Sequence, residues 1–437
     1  MNKYSVKSIR VITKPFLMPF ILVGLLFPLW GFANDITNPL VAAFKNILLI
    51  SHFESSLVQF AFYGGYCLMA IPAAIFIKRF NYKQAILMGL ALYSIGCFLF
   101  IPAGKMMVFE AFLVAYFIMT CGLSFLETSA NPYILSMGDE STATQRLNFA
   151  QAFNPLGSLT GMFVAKEFIL AQLNPASETS RLELAQNDPD AFSKIQQNDL
   201  NVIVDPYLIL GIVVGVVFFI FLFSKLPGSK SSVESKLDLK PTLNRLLSNR
   251  HYKDGVIAQA FYVGAQIMCW TFIIQYGVNE LGLTKAEAQS YNMVAMIIFV
   301  TSRFICTYIL KFINPGQLLM ILAMGGGVFT LGAIFISGMV GIYSLVAISA
   351  CMSLMFPTIY GIALDGLGED AKIGSAGLIL AIGGGSLMPP LQGAIMDMTP
   401  FSMGDFVLSS TRASFCLPFI CFLVIGYYGW NTKRDHT

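Results

Sequence analysis

One carboxylic acid lies in the middle of a long apolar stretch of this sequence, where an ionisable side chain is costly to keep. Glu127 is preceded by Ser124 and followed by Asn131, at spacings that place all three residues on one face of a helix. Removal from water favours the neutral form of such an acid, so Glu127 has the chemistry of a proton carrier. The alternative is a structural acid that is hydrogen-bonded to a neighbouring helix.

A second polar cluster interrupts the first long apolar run. Asn34 and Asn38 share a helix face, Asp35 lies within reach of that face, and Pro39 removes a helical hydrogen bond directly afterwards. A polar helix that breaks at this point is suited to line a cavity. The alternative is that the cluster is only the polar end of the run.

Amide and aromatic side chains recur in two further apolar runs. They are Asn148, Gln151 and Asn154 in the fifth run, and Tyr262, Gln266 and Trp270 in the seventh. Amides bond hydroxyl groups both as donor and as acceptor, and an aromatic ring covers an apolar C–H face, so the combined set suits a sugar. Each amide taken singly is equally compatible with hydrogen bonds between helices.

The elements that must position these residues are helices in lipid. Of the 437 residues, 56% are hydrophobic and 12% are charged, whereas a soluble domain averages about 25% charged residues. This composition excludes a soluble enzyme, a nucleic-acid binder and a disordered scaffold. Twelve runs are long enough to cross a bilayer, near 16–44, 55–77, 83–103, 107–135, 147–171, 206–224, 255–279, 287–310, 316–337, 340–364, 374–396 and 408–430.

A polar, basic stretch divides these twelve runs into two groups of six. Similar loops also recur at equivalent places: residues 77–84 match 310–317, and 136–140 match 366–370. The sequence therefore predicts an all-α membrane protein with two pseudo-symmetric six-helix bundles, the architecture of the major facilitator superfamily. The predicted domains are 1–224, a cytoplasmic linker at 225–254, and 255–437.

The basic residues are distributed unequally between the two sides of the predicted bundle. The side that carries both termini and the linker holds 20 of the 27 Lys and Arg residues. Because positive charge accumulates on the cytoplasmic side of membrane proteins, both termini and the linker are expected in the cytoplasm.

Several stretches of the chain resemble the fucose–proton symporter family. They are LWGFAN at 29–34, FLETSANP at 125–132, RLNFAQ at 146–151, YVGAQ at 262–266 with CW at 269–270, and PTI at 357–359. This family also includes bacterial glucose/galactose transporters. The resemblance implies a twelve-helix major facilitator fold in the bacterial inner membrane that imports a hexose with a proton, without covalent chemistry.

The resemblance also implies roles for individual residues. The family's fourth-helix acid, which couples the proton to the sugar, corresponds to Glu127, and its fifth-helix amides correspond to Gln151 and Asn154. Its first-helix Asp falls on Asn38 here, whereas an acid stands three residues earlier, at Asp35. Either Asp35 replaces that acid from nearly the same face, or coupling runs through Glu127 alone.

We therefore expect a secondary transporter that imports L-fucose or a related hexose by alternating access, with the proton as co-transported ion and no other cofactor or metal. Proton coupling is assigned to Glu127 and Asp35. The expected sugar-binding residues are Asn34, Asn38, Glu127, Asn131, Asn148, Gln151, Asn154, Tyr262, Gln266 and Trp270.

Three alternatives remain open at this point: a glucose/galactose transporter, a uniporter of the same fold, and a transport-inactive sugar sensor. The expected partners are a small sugar and the lipid bilayer, with no nucleic acid, and the chain is expected to act as a monomer.

Overall fold

The computed structural model describes residues 12, 14–138, 146, 149–151, 153–227, 239–310, 312–367, 370–403 and 406–434. The predicted site residue Asn148 lies outside these ranges. The helices up to Phe223 form the first half. They are α1 (Leu17–Gly24), α2 (Leu26–Thr37), α3 (Leu40–Leu48), α4 (His52–Arg79), α5 (Tyr82–Phe98), α6 (Phe100–Met106), α7 (Phe109–Leu135), α8 (Asn154–Val164), a π-helix (Ala165–Leu170), α9 (Glu178–Asn187) and α10 (Pro189–Phe223).

The second half follows after a helix within the predicted linker. Its elements, with that helix first, are α11 (Leu239–Ser248), α12 (Arg250–Leu281), α13 (Lys285–Ile309), α14 (Pro315–Phe335), α15 (Met339–Met352), α16 (Met355–Leu364), α17 (Ala371–Leu380), α18 (Gly384–Met396), the antiparallel pair β1 (Phe401–Met403) and β2 (Phe406–Leu408), α19 (Ser410–Ser414) and α20 (Cys416–Arg434). Short 3-10 turns occupy Lys14–Phe16 and Ala381–Gly383.

Eleven segments of the described chain are long and apolar enough to cross a membrane, which agrees with an all-α membrane protein. The predicted fifth span, 147–171, includes α8 and the π-helix, and its residues 147, 148 and 152 lie outside the described ranges. The remaining eleven predicted runs each coincide with one of the eleven segments.

Apolar and polar side chains are distributed as lipid requires. Large apolar side chains such as Phe223, Phe304 and Val328 lie exposed on the outside of the bundle. Polar side chains such as Gln259 and Asn292 are fully buried inside it. Since lipid offers no hydrogen-bond partners, polar groups that carry function are kept between the helices.

The first membrane segment is a broken helix. It extends over Lys14–Leu48, and within it α2 ends at Thr37 while α3 begins at Leu40. Pro39 lies at this break, where it cannot donate a backbone hydrogen bond. The cluster of Asn34, Asp35 and Asn38 therefore lies inside the segment and not at its polar end.

Glycines bring α2 and α8 into backbone contact. A β-carbon at Gly157 would lie 1.9 Å from the Pro28 carbonyl oxygen, and one at Gly161 would lie 2.6 Å from that of Phe32. Small residues four apart are a common device for close helix packing in membranes. This contact holds the cluster on α2 directly against α8.

The two halves meet at one end of the bundle. Successive segments run in opposite directions, and we call the end with the junctions at 49–51 and 282–284 the distal end. There the backbone N–H groups of His52 and Phe53 donate to the Asp397 carboxylate at 2.8 and 2.7 Å. The start of α4 is thereby joined to the end of α18, which closes the distal end between the halves.

Candidate functional site

Four buried side chains form a hydrogen-bonded chain that crosses between the halves. Asn38 donates to the Asp35 carboxylate at 3.2 Å. The Gln59 amide donates to Asn38 Oδ1 at 3.0 Å and to Thr271 Oγ1 at 3.1 Å. None of the four side chains is more than 4% exposed. We call this set of four hydrogen-bonded side chains the polar layer. Because Thr271 belongs to α12, the polar layer connects a carboxylate of the first half to the second half.

Local structure explains how the polar layer is positioned. Asp35 and Asn38 lie three residues apart on helical backbone, which brings their side chains together. Ser158 on the closely packed α8 also interacts with the Asp35 carboxylate. Gln59 lies two turns into α4, whose start is fixed by a capping box between Ser51 and Glu54.

Glu127 is a partly buried acid on α7. Its carboxylate has no hydrogen-bond or ion-pair partner among the described residues. Tyr66 on α4 lies close enough to interact with it electrostatically, and Tyr63 stands in the same relation to Asp35. The Tyr63 and Tyr66 rings stack with centroids 6.4 Å apart. The two acids therefore lie on either side of a tyrosine pair.

The other predicted residues of the first half have different surroundings. Gln151 is exposed and donates to Asn131 Oδ1 at 3.4 Å, while Asn131 donates to the Glu127 backbone oxygen at 3.2 Å. These three residues are therefore brought together. Asn154 donates to the Phe27 carbonyl at 3.3 Å, a bond between α8 and α2. The Asn34 side-chain oxygen is buried and has no hydrogen-bond partner in the described chain.

Tyr262, Gln266 and Trp270 form a stripe along α12, and its two aromatic residues are used for packing within the second half. Tyr262 donates to the Met352 carbonyl at 3.1 Å, and the Trp270 indole donates to Ser349 at 3.1 Å. Both bonds join α12 to α15. Gln266 is only half-buried, and its amide makes no hydrogen bond to any described residue, so it is the member of the stripe whose amide is free to bind a ligand.

Sequence reasoning missed the residues that complete the polar layer. Gln59, Tyr63 and Tyr66 are spaced by four and three residues along α4, so the criterion that identified the stripe on α12 also applies to them. Thr271 gave no such signal, because a Thr in an apolar helix usually bonds its own backbone.

The arrangement provides two carboxyl groups and several free amide and carboxyl oxygens in a lipid-embedded bundle. Protonation of Glu127 would neutralise a charge that has no ionic partner among the described residues. The free oxygen of Asn34 and the amide of Gln266 offer an acceptor and a donor–acceptor pair for hydroxyl groups. This chemistry can bind a polyhydroxylated ligand and a proton.

Comparison with known proteins independently supports a membrane transporter. Residues 23–376 match the family model described as the Major Facilitator Superfamily. The chain is 53% identical to the L-fucose-proton symporter of Haemophilus influenzae, over 97% of this chain and 99% of that protein. It is 33% identical to the L-fucose-proton symporter of Escherichia coli, over 94% of this chain and 92% of that protein.

A solved structure gives the same result. The crystal structure of the major facilitator transporter FucP in the outward conformation matches with a TM-score of 0.71 and 33% identity. The match covers 96% of this chain and 99% of that one. The fold predicted from the sequence is thus confirmed.

Proposed function

The chain belongs to the Major Facilitator Superfamily and, within it, to the fucose–proton symporter family, and on that premise we propose that it imports L-fucose together with a proton. It is a multi-pass membrane transporter and not an enzyme. The observation that carries the coupling proposal is Glu127, a carboxyl group inside a membrane helix with no ionic partner among the residues described.

The coupling follows from the cost of a buried charge. When the site faces the outside, Glu127 takes up a proton and becomes neutral, and its carboxyl group can then hydrogen-bond a sugar hydroxyl. The halves can close around the loaded site because no uncompensated charge is buried. Each pH unit of gradient supplies about 1.36 kcal/mol, and 100 mV of potential supplies about 2.3 kcal/mol per charge.

Asp35 is the second proposed coupling group. The family's first-helix Asp corresponds to Asn38 in this chain. The hydrogen bond between Asn38 and Asp35 supports the interpretation that Asp35 supplies the carboxyl group in its place, at nearly the same position. Through Asn38 and Gln59 its carboxylate is connected to Thr271 of the other half, so a proton on Asp35 can influence the contact between the halves.

We further propose that the transporter lies in the bacterial inner membrane as a monomer, with both termini and the linker in the cytoplasm. The excess of Lys and Arg on the side of the termini supports this orientation. The distal end then faces away from the cytoplasm, and the contact of His52 and Phe53 with Asp397 closes the outer entrance.

A sugar panel in proteoliposomes with an imposed pH gradient tests the proposal. L-Fucose should accumulate when the outside is more acidic, and the accumulation should collapse when a protonophore removes the gradient. Equilibration without accumulation would indicate a uniporter. Stronger competition by glucose or galactose than by L-fucose would indicate a hexose carrier of different specificity, and binding of sugar without any flux would indicate a sensor.

A further inference from the structure

A cavity of about 410 Å³ lies between the two halves at the distal end, and none of the proposed sugar-binding residues lines it. Lys45, His52 and Glu178 of the first half line one side, and residues of α12 and α13 line the other. Its size falls in the range that holds a small organic ligand. A ligand that fills this cavity touches both halves at once.

Two polar side chains that line this cavity are deeply buried without partners. Gln275 is 3% exposed, and neither its amide nitrogen nor its amide oxygen bonds a described residue. His52 is 9% exposed, and its Nδ1 also has no partner among the described residues. An amide and an imidazole nitrogen together offer donors and acceptors that match the hydroxyl groups of a polyol.

Positively charged side chains outnumber negatively charged ones in the cluster around the cavity. Lys45 pairs with Glu178, and Arg181 pairs with Asp199. Lys285 lies among these four charges, but no described carboxylate is within salt-bridge distance of its ammonium group. The cluster thus contains three cations and two anions.

The carboxylate of Asp397, which lies near His52, does not balance Lys285. Its two oxygens accept hydrogen bonds from the backbone at the start of α4, where the helix dipole already favours a negative charge. A ligand carboxylate would complete the ion pairing of Lys285.

From this geometry we propose that the cavity is a regulatory site for a sugar acid, a hexuronate whose carboxylate pairs with Lys285 and whose hydroxyls bond Gln275 and His52. The site exists only while the halves are together at the distal end, where Thr271 lies one helical turn from Gln275. A ligand that binds one state of a two-state protein shifts the population toward that state. A hexuronate therefore holds the distal entrance closed and slows sugar entry without competing for the transport site.

Calorimetry on the purified full chain in nanodiscs tests the binding step, with D-galacturonate, D-galactose and acetate as probes. We expect D-galacturonate to bind at least about tenfold more tightly than either of the other two, since a charge-assisted hydrogen bond is lost in one case and the hydroxyl contacts in the other. Equal binding of D-galacturonate and acetate would mean an adventitious anion contact and would overturn the proposal.

Variants locate the site. Lys285→Gln should weaken D-galacturonate binding at least about tenfold, and Lys285→Arg should retain most of it. Lys105→Gln is the matched control, because Lys105 is an exposed cation at the same end but does not line the cavity. Gln275→Leu provides a second test if Lys285→Gln does not fold. Unchanged affinity in Lys285→Gln, or in Gln275→Leu when that variant stands in, would contradict the assignment.

Transport measurements test whether a bound hexuronate slows sugar entry, a consequence that rests on the proposed function. D-Galacturonate at about ten times its Kd should lower the maximal rate of L-fucose uptake up to about tenfold and should not merely raise the KM. A purely competitive effect would place the ligand in the transport site and refute the regulatory cavity. Absence of L-fucose uptake before any D-galacturonate is added would instead contradict the proposed function and leave the calorimetric result independent.

Discussion

The hydrogen bond between Gln59 and Thr271 sets part of the balance between the two states of the transporter. It crosses from α4 to α12 at 3.1 Å, and both side chains are fully buried. It can form only while the halves are together at the distal end. The bond therefore stabilises this closed state against the state in which the distal end is open.

Thr271→Val removes this bond and nearly preserves the shape of the side chain. A neutral buried hydrogen bond contributes about 1 kcal/mol net, and the Gln59 N–H that loses its partner adds to the cost in the closed state. We expect the ratio of open to closed distal ends to rise about fivefold or more. Gln59→Leu removes the same bond between the halves, and the bond to Asn38 that it also removes lies within the first half, so its effect on the ratio should be similar.

Distance measurements between genetically encoded labels at Lys105 and Ser337 provide the assay. Both positions are exposed at the distal end, and they lie on opposite halves. Thr271→Ser is the matched control, because it restores the hydroxyl group and should return the distribution toward that of the unmodified chain. The reasoning is refuted if Thr271→Val and Thr271→Ser give the same distribution of distances.

Three further perturbations test other parts of the account. Asp35→Asn should abolish accumulation of L-fucose driven by a pH gradient, and adding Asn38→Asp should restore part of it; if transport and its pH dependence are unchanged in both, the cluster is structural. Arg181→Met leaves Asp199 as a buried unpaired charge and should lower stability by about 3–5 kcal/mol, measured by thermal unfolding in detergent, whereas also replacing Asp199 by Leu should recover most of the loss. Gly157→Val should separate α2 from α8 and destabilise the fold by about 1–3 kcal/mol or more; unchanged thermal unfolding would contradict the close packing.

The fold could be predicted from the sequence because lipid imposes a simple rule on composition and length. Runs of about twenty apolar residues must be helices, and the positions of the eleven membrane segments follow from that rule. The break at Asn38 and Pro39 could also be predicted, since proline cannot continue the backbone hydrogen bonds of α2.

The candidate site could be predicted only in part. Glu127 stands out because an acid in an apolar helix is rare, and the bond between Asn131 and its backbone follows from their spacing. The contact of Gln59 with Thr271 depends on how α4 packs against α12, which no local pattern specifies. The same applies to Tyr262 and Trp270, whose polar atoms bond α15 because that helix lies alongside.

Sugar-driven proton movement is the most direct test of the central claim. L-Fucose added to proteoliposomes that contain the unmodified chain should acidify the lumen, reported by an internal pH dye. In Glu127→Gln this signal should be lost while exchange of labelled for unlabelled L-fucose persists. The account would be contradicted if L-fucose entered without any pH change in the unmodified chain, or if Glu127→Gln still accumulated it fully.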